Sequence, residues 1–147
     1  MASPKGSGFF DRRAELGRRA LRFGPMKRQL KVLVCEDNPI IAMSLIDLLG
    51  EIGHVCIGSA DRSDKAREIA NAQKPDLALI DLNLADGWTG PDLVEHFQTR
   101  GIACAVTSGQ TESFKNEGNT IPIFEKPIDE RRLAEFIQEL SENGIWE

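Results

Sequence analysis

The sequence predicts an α/β fold: a doubly wound parallel sheet of five strands with helices on both faces. Three observations predict it. Short apolar runs alternate five times along the chain with segments whose apolar residues recur at helical spacing, the pattern of a parallel sheet with right-handed crossovers. The first run, Val32-Leu33-Val34-Cys35, is apolar at every position rather than at every second one, as in a strand buried on both faces. The chain has 147 residues, 41% of them hydrophobic, enough for one ordinary domain with a real core.

After the first strand, Asn38 is placed to cap a helix and Pro39 suits its first turn. Ile41, Leu45, Leu48, Leu49 and Ile52 then recur at helical spacing until Gly53 stops the helix. Val55-Cys56-Ile57 is the second strand. A polar helix runs from Asp64 to Gln73 with Ala66, Ile69 and Ala70 on its inner side. Leu77-Ala78-Leu79-Ile80 is the third strand and ends at Asp81. Gly90-Pro91 leads into a helix that turns Leu93, Val94 and Phe97 inward. Ile102 to Val106 forms the fourth strand and ends at Thr107; Ile121 to Phe124 forms the fifth. Asp129 caps a last helix with Leu133, Phe136, Ile137 and Leu140 on one face. The stretch between Thr107 and Ile121 is polar and Gly-rich, so the fourth helix of a (βα)5 arrangement is expected to be short or mobile.

Charge is divided unevenly. Residues 1–30 hold eight basic residues against two acidic ones, a balance of +6, which leaves −11 for the rest of a chain whose net charge is −5. Such a split marks a segment with its own partner. Residues 1–29 read as a basic extension, disordered or partly helical. Phe9, Phe10, Leu16, Ala20 and Leu21 fall on one side of a short helix over 9–23, which Gly17 weakens and Gly24-Pro25 ends. The plainer alternative is an upstream extension, with translation starting at Met26. The folded domain is placed at 30–142 and a tail at 143–147. No apolar run approaches the ~18 residues of a membrane span, and no signal-peptide segment is recognisable, so a cytoplasmic location is expected. Cys35, Cys56 and Cys104 lie in strand-like runs and read as buried free thiols; no Cys/His cluster has zinc spacing.

In an open parallel sheet, ligands bind beyond the carboxyl ends of the strands. The first strand delivers Glu36 and Asp37 there, the third Asp81, the fourth Thr107 and Ser108, and the fifth Lys126, next to Pro127. Three adjacent carboxylates repel one another, and a hard divalent cation relieves the repulsion. Mg²⁺ (or Mn²⁺) fits, with Asp37 and Asp81 as direct ligands, Glu36 acting through water and Asn83 offering its backbone carbonyl. A carboxylate can serve as a phosphoryl nucleophile. The cation, the Lys126 ammonium and the Thr107 hydroxyl would share the charge of the phosphoryl oxygens.

Four segments together resemble the receiver domain of two-component response regulators: Val-Leu-Val-Cys-Glu-Asp-Asn, Leu-Ile-Asp-Leu-Asn-Leu-Ala-Asp-Gly-Trp-Thr-Gly, Ala-Val-Thr-Ser-Gly and Glu-Lys-Pro-Ile. The resemblance covers about residues 30–142. It implies a flavodoxin-like topology with strand order 2-1-3-4-5, Asp81 as phosphoacceptor, and Glu36 and Asp37 as the acidic pair for Mg²⁺. It further implies Asn83 as the carbonyl ligand, Thr107 as the hydroxyl switch, Lys126 as the phosphoryl-binding lysine, and a cis bond before Pro127. The family commonly carries an aromatic residue three positions before the lysine. Here Ile123 stands there, with Phe124 beside it on the opposite side of the strand; both are switch candidates. The Thr-Ser-Gly turn and the polar stretch after it are similar to an atypical branch with a Phe-Ala-Thr-Gly-type segment.

The implied function is that of a single-domain response regulator. It takes a phosphoryl group from a sensor histidine kinase or a histidine phosphotransfer protein. It then acts through protein contacts or as a phosphate sink. It is not an enzyme in the usual sense, although it assists its own phosphorylation and dephosphorylation, and no nucleic-acid partner is expected. A metal-dependent phosphatase with an Asp nucleophile is the rival, but Asp81-Leu82-Asn83-Leu84 lacks the second acid such enzymes carry. His54 and His96 read as ordinary surface histidines. Asp86-Gly87 reads as a turn, and Gly90 as a helix-entry residue without chemistry.

Overall fold

The computed structural model describes residues 28–109, 114 and 121–144. Strand β1 (Lys31–Cys35) is followed by helix α1 (Pro39–Glu51), β2 (Val55–Ala60) and α2 (Ser63–Ala72). Then come β3 (Leu77–Ile80), α3 (Gly90–Thr99), β4 (Ala103–Ser108), β5 (Ile123–Glu125) and α4 (Glu130–Asn143). All strand pairs are parallel, in the order β2-β1-β3-β4-β5. This is the doubly wound parallel sheet that the alternation predicts, in the flavodoxin-like strand order that the resemblance implies. The expected fourth helix of five falls on residues between β4 and β5 that lie almost wholly outside the described ones, as do residues 1–27 and Trp146.

The sheet is buried on both faces because its central strands are apolar at every position. Val32, Val34, Leu77 and Leu79 point to one side, against Leu45, Leu49 and Ile52 of the α1 region and Leu133 and Ile137 of α4. Leu33, Cys35, Ala78 and Ile80 point to the other, against Ala66 and Ala70 of α2 and Leu93, Val94 and Phe97 of α3. Fully burying one such aliphatic or aromatic side chain contributes roughly 1.5–3 kcal/mol. The two layers therefore fix strand order and register, and with them the positions of the strand ends.

Local signals set the helix boundaries. The Asn38 carboxamide oxygen accepts from the backbone N–H groups of Ile40 (2.9 Å) and Ile41 (3.3 Å). The Asp129 carboxylate does the same for Arg131 (3.1 Å) and Arg132 (3.3 Å). Each satisfies donors that a helix start leaves free. Gly53, at φ +89°, takes the left-handed conformation that turns the chain from α1 into β2. The three cysteines are free: Cys35 and Cys104 are buried and Cys56 is half-buried. Burial pushes the Cys104 thiol up to about 12, so it is an unreactive core group.

One sequence expectation is corrected by the structure. His54 is not a surface histidine but is 7% exposed. Its Nδ1 accepts from the backbone N–H of Leu30 at 3.0 Å, and its Nε2 lies 2.9 Å from Oε1 of Gln138. This pattern requires the neutral ring protonated on Nε2. The imidazole joins the entry to β1, the α1–β2 turn and α4. The sequence hid this because a polar residue after a glycine looks like turn surface.

Candidate functional site

The carboxyl edge of the sheet is held by hydrogen bonds that continue the ladder beyond the strands. Glu36 N–H donates to the Ala60 carbonyl (2.9 Å), Asp81 N–H to the Cys35 carbonyl (2.9 Å) and Lys126 N–H to the Ser108 carbonyl (3.1 Å). These three bonds involve the ends of all five strands and hold the edge together. The Lys126–Pro127 peptide is cis.

At this edge the ammonium of Lys126 stands 2.8 Å from Oδ2 of Asp81 and 2.9 Å from Oε1 of Glu36. The first contact is a well-angled hydrogen bond. The second is an ion-pair contact only, and Oε1 of Glu36 has no hydrogen-bond partner among the described residues. The other oxygens are anchored to backbone: Asn38 N–H donates to Oε2 of Glu36 at 3.0 Å, and Asn83 N–H to Oδ1 of Asp81 at 3.2 Å. Glu36 and Asp81 are buried and Asp37 is exposed, yet oxygens of all three carboxylates lie within 4.8 Å of one another. Thr107, at the end of β4, is buried, and its hydroxyl has no hydrogen-bond partner among the described residues.

The electrostatics reflect this crowding. Burial raises the Glu36 carboxyl above the usual range; the Asn38 N–H and the lysine work against that, and the charge of Asp81 adds to it. Burial alone would lower Lys126, but its hydrogen bond to Asp81 and its contact with Glu36 outweigh burial, and its pKa lies above the ordinary lysine value. One ammonium thus contacts two carboxylates, Asp81 and Glu36, beside which Asp37 adds a third. An all-oxygen cluster of three carboxylates, with oxygens within 4.8 Å of one another and only one ammonium beside them, has the chemistry of a hard divalent cation site. Glu36, Asp37 and Asp81 are the side chains that fit it.

Two features escaped the sequence reading. Gly90, at the start of α3, packs on the backbone just beyond Asp81. A Cβ on Gly90 would lie 2.3 Å from Cα of Leu82 and 2.5 Å from the carbonyl oxygen of Asp81. Its N–H donates to the Leu82 carbonyl at 2.9 Å. The sequence signal was only a Gly-Pro at a helix entry, nine residues after Asp81. The second is Asp86, which is more than a turn residue. Its carboxylate accepts from the N–H and hydroxyl of Ser63 (3.1 and 2.7 Å) and from the Thr89 hydroxyl (2.7 Å), which ties the loop after Asp81 to α2. The Ser63 hydroxyl bond is the chief reason its carboxyl lies below the usual range.

The switch candidates divide between the two faces. Ile123 is half-buried against the α2–α3 side. Phe124 is buried on the α1–α4 side, with its ring centroid 5.7 Å from that of Phe136 and the Arg132 guanidinium 5.2 Å above it.

Residues 32–138 match the profile of the response regulator receiver domain. The chain belongs to this family. Over 65 residues it is 45% identical to the phyllosphere-induced regulator PhyR of Methylorubrum extorquens, which is 44% of this chain and 24% of that protein. The solution structure of the PhyR receiver domain of Erythrobacter litoralis superposes with a TM-score of 0.70 at 30% identity, covering 76% of this chain and 88% of that one. SdrG of Sphingomonas melonis superposes with a TM-score of 0.65 at 25% identity, covering 74% and 93%. The matched part is about a quarter of the length of the curated relatives. Among the described residues of this receiver, no helix is long and apolar enough to cross a membrane.

Proposed function

We propose that this receiver accepts a phosphoryl group on Asp81 from a phosphohistidine donor, a sensor kinase or a phosphotransfer protein. It would then signal through altered protein contacts or act as a phosphate sink. The observation that carries this reading is the buried Asp81 carboxylate, held at 2.8 Å by Lys126 within a cluster that includes Glu36 and Asp37.

The arrangement accounts for the chemistry. A carboxylate oxygen of Asp81 attacks phosphorus; an O–P bond forms as the donor's P–N bond breaks, and the imidazole nitrogen leaves with the electron pair. Negative charge moves from the carboxylate outward onto the phosphoryl oxygens. Lys126 already sits on the carboxylate and can follow that charge outward, since its side chain is partly solvent-accessible. The Thr107 hydroxyl has a donor to give and no present acceptor among the described residues. Asn83 N–H and Lys126 hold the nucleophile in one orientation before reaction, so little reorganisation is left for the transition state. Mg²⁺ held by Glu36, Asp37 and Asp81, with the Asn83 carbonyl, would supply charge neutralisation for the phosphoryl oxygens. We assign residues 30–142 to the receiver unit.

Intact-mass measurement after incubation with Mg²⁺ and acetyl phosphate tests the reading. The expected result is one phosphoryl adduct on the wild type and none on Asp81→Asn. An unlabelled wild type, under conditions that label another receiver, would sink it.

A further inference from the structure

Helix α1 carries an exposed stripe that the acceptor site does not use. Ile40 and Met43 are 76% and 63% exposed, an uncommon state for two large apolar side chains one turn apart on one helix. With Ser44, Asp47, Leu48, Glu51 and Glu130 they line a shallow groove of about 430 Å³. Six of the seven succeed one another down α1 at helical spacing, so the groove runs the length of the helix. Ser44 closes its α4 side by donating a hydrogen bond to Glu130 at 2.6 Å. Asp47, Glu51 and Glu130 give an apolar floor an acidic rim.

Arg28 and Gln29, the first described residues, lie beside one end of this groove. Arg28 N–H donates to the Ser141 carbonyl near the end of α4, and the Gln29 side chain donates to the Gly53 carbonyl at the end of α1. Arg28 and Gln29 therefore stand between the carboxyl ends of the two helices, at one mouth of the groove. Residues 9–23 carry Arg12, Arg13, Arg18, Arg19 and Arg22 against only Asp11 and Glu15. Phe9, Phe10, Leu16, Ala20 and Leu21 share one side at helical spacing. Fifteen helical residues span about 22 Å, against about 20 Å for α1, and four extended residues (24–27) reach about 13 Å, enough to turn into the groove.

We propose that residues 9–23 dock along α1, with their apolar side on Ile40, Met43 and Leu48 and their arginines on Asp47, Glu51 and Glu130. The inference is independent of the phosphoryl chemistry. Length, charge sign and point of departure all select this occupant. The docked segment covers the flank of the acceptor edge, since Ile40 lies two residues beyond the Asn38 that anchors Glu36.

Methyl NMR on the full chain tests it. The expected result is NOEs from the Met43 ε-methyl and Ile40 δ-methyl to ring protons of Phe9 and Phe10, unchanged on tenfold dilution. They should disappear in Asp47→Lys/Glu51→Lys, where α1 reverses its charge, and in Phe9→Ala/Phe10→Ala. Both variants change exposed α1 positions or residues outside the described fold, and unchanged far-UV circular dichroism checks that the fold survives. Absence of these NOEs at low ionic strength overturns the proposal and leaves the stripe to an external partner. NOEs that fade on dilution also overturn it, in favour of a second copy of the chain.

Discussion

Replacing Gly90 with alanine probes how closely α3 holds the end of β3 that carries Asp81, the proposed acceptor. The added methyl would stand 2.3 Å from Cα of Leu82, 2.5 Å from the carbonyl oxygen of Asp81 and 2.8 Å from the Leu82 carbonyl carbon. Carbon atoms settle at about 3.5–4.0 Å, so the helix start or the loop must move by roughly 1 Å. Neither side yields easily. Leu82 is fully buried, Asp81 is 4% exposed, and the Gly90 N–H is bonded to the Leu82 carbonyl. Overpacking of this kind costs about 1–3 kcal/mol. Asp81 shares the displaced peptide, so its carboxylate also moves relative to Lys126. A misplacement of about 1 Å at a reacting group lowers a rate by as much as about 10²-fold. Gly50→Ala is the control, because a Cβ there meets nothing within 4 Å. In a helix it should be neutral or stabilise by about 0.5 kcal/mol. Urea unfolding gives the stabilities, and acetyl phosphate labelling of the folded fraction gives the rates. A Gly90→Ala protein with wild-type stability and wild-type labelling would refute the argument that this close approach positions Asp81.

Three further outcomes are expected. Mg²⁺ should raise the melting temperature, by an amount equivalent to about 2.7 kcal/mol at a hundredfold excess over its Kd; EDTA should reverse the effect, and Asp37→Asn, at an exposed position, should weaken it while leaving the metal-free stability within about 0.5 kcal/mol. The Glu36 carboxyl is raised by burial, so its ionisation opposes folding. Metal-free stability therefore has a component that is full below the unfolded carboxyl value and is lost as pH rises through the raised one. Glu36→Gln should remove that dependence and raise metal-free stability at neutral pH while weakening Mg²⁺ binding, as seen by paired denaturation and calorimetry. His54→Phe should cost about 1–3 kcal/mol in urea unfolding, because it leaves the buried Leu30 N–H without its acceptor.

The fold was legible because its strands are unusually explicit. Val32 to Cys35 and Leu77 to Ile80 are apolar throughout, and only a strand covered on both faces asks for that. Boundaries were less so. Strand β2 continues through Gly58 and Ser59 to Ala60, past the point where the apolar signal fades. Strand β5 begins only at Ile123, after Pro122, which has no N–H for a ladder. The candidate site was legible for a related reason: Glu36, Asp81 and Lys126 are polar residues just beyond buried strands, and parallel topology brings such positions to one edge. Gly90 and His54 were not, since what matters at each is an approach between segments distant in sequence or out of register with any period. Nothing in a Gly-Pro dipeptide specifies that the atom it leaves out would strike Leu82.

The switch candidates sit at the limit of what a register can decide. Thr107 pairs with Phe124 and Val106 with Ile123, so Thr107 shares its face with the aromatic ring and not with the residue three positions before the lysine. That ring is not free to turn by itself. It lies against Phe136 and beneath Arg132, both on α4, and removing a buried phenylalanine costs about 3–5 kcal/mol. The new charge-assisted bonds a phosphoryl group creates are each worth about 1.5–3 kcal/mol. A rotation that vacates the Phe124 site would consume most or all of that. A shift of Phe124 that keeps its contacts is much cheaper, and it carries α4 along through Phe136 and Arg132. Strand β5 is joined to the edge that carries Asp81 by Lys126 itself, through its backbone bond to Ser108 and its ammonium on Asp81. On the proposed function, charge added at Asp81 would reach α4 as a displacement of packed elements, whereas Ile123, with no ring to turn, has no comparable handle on the opposite face.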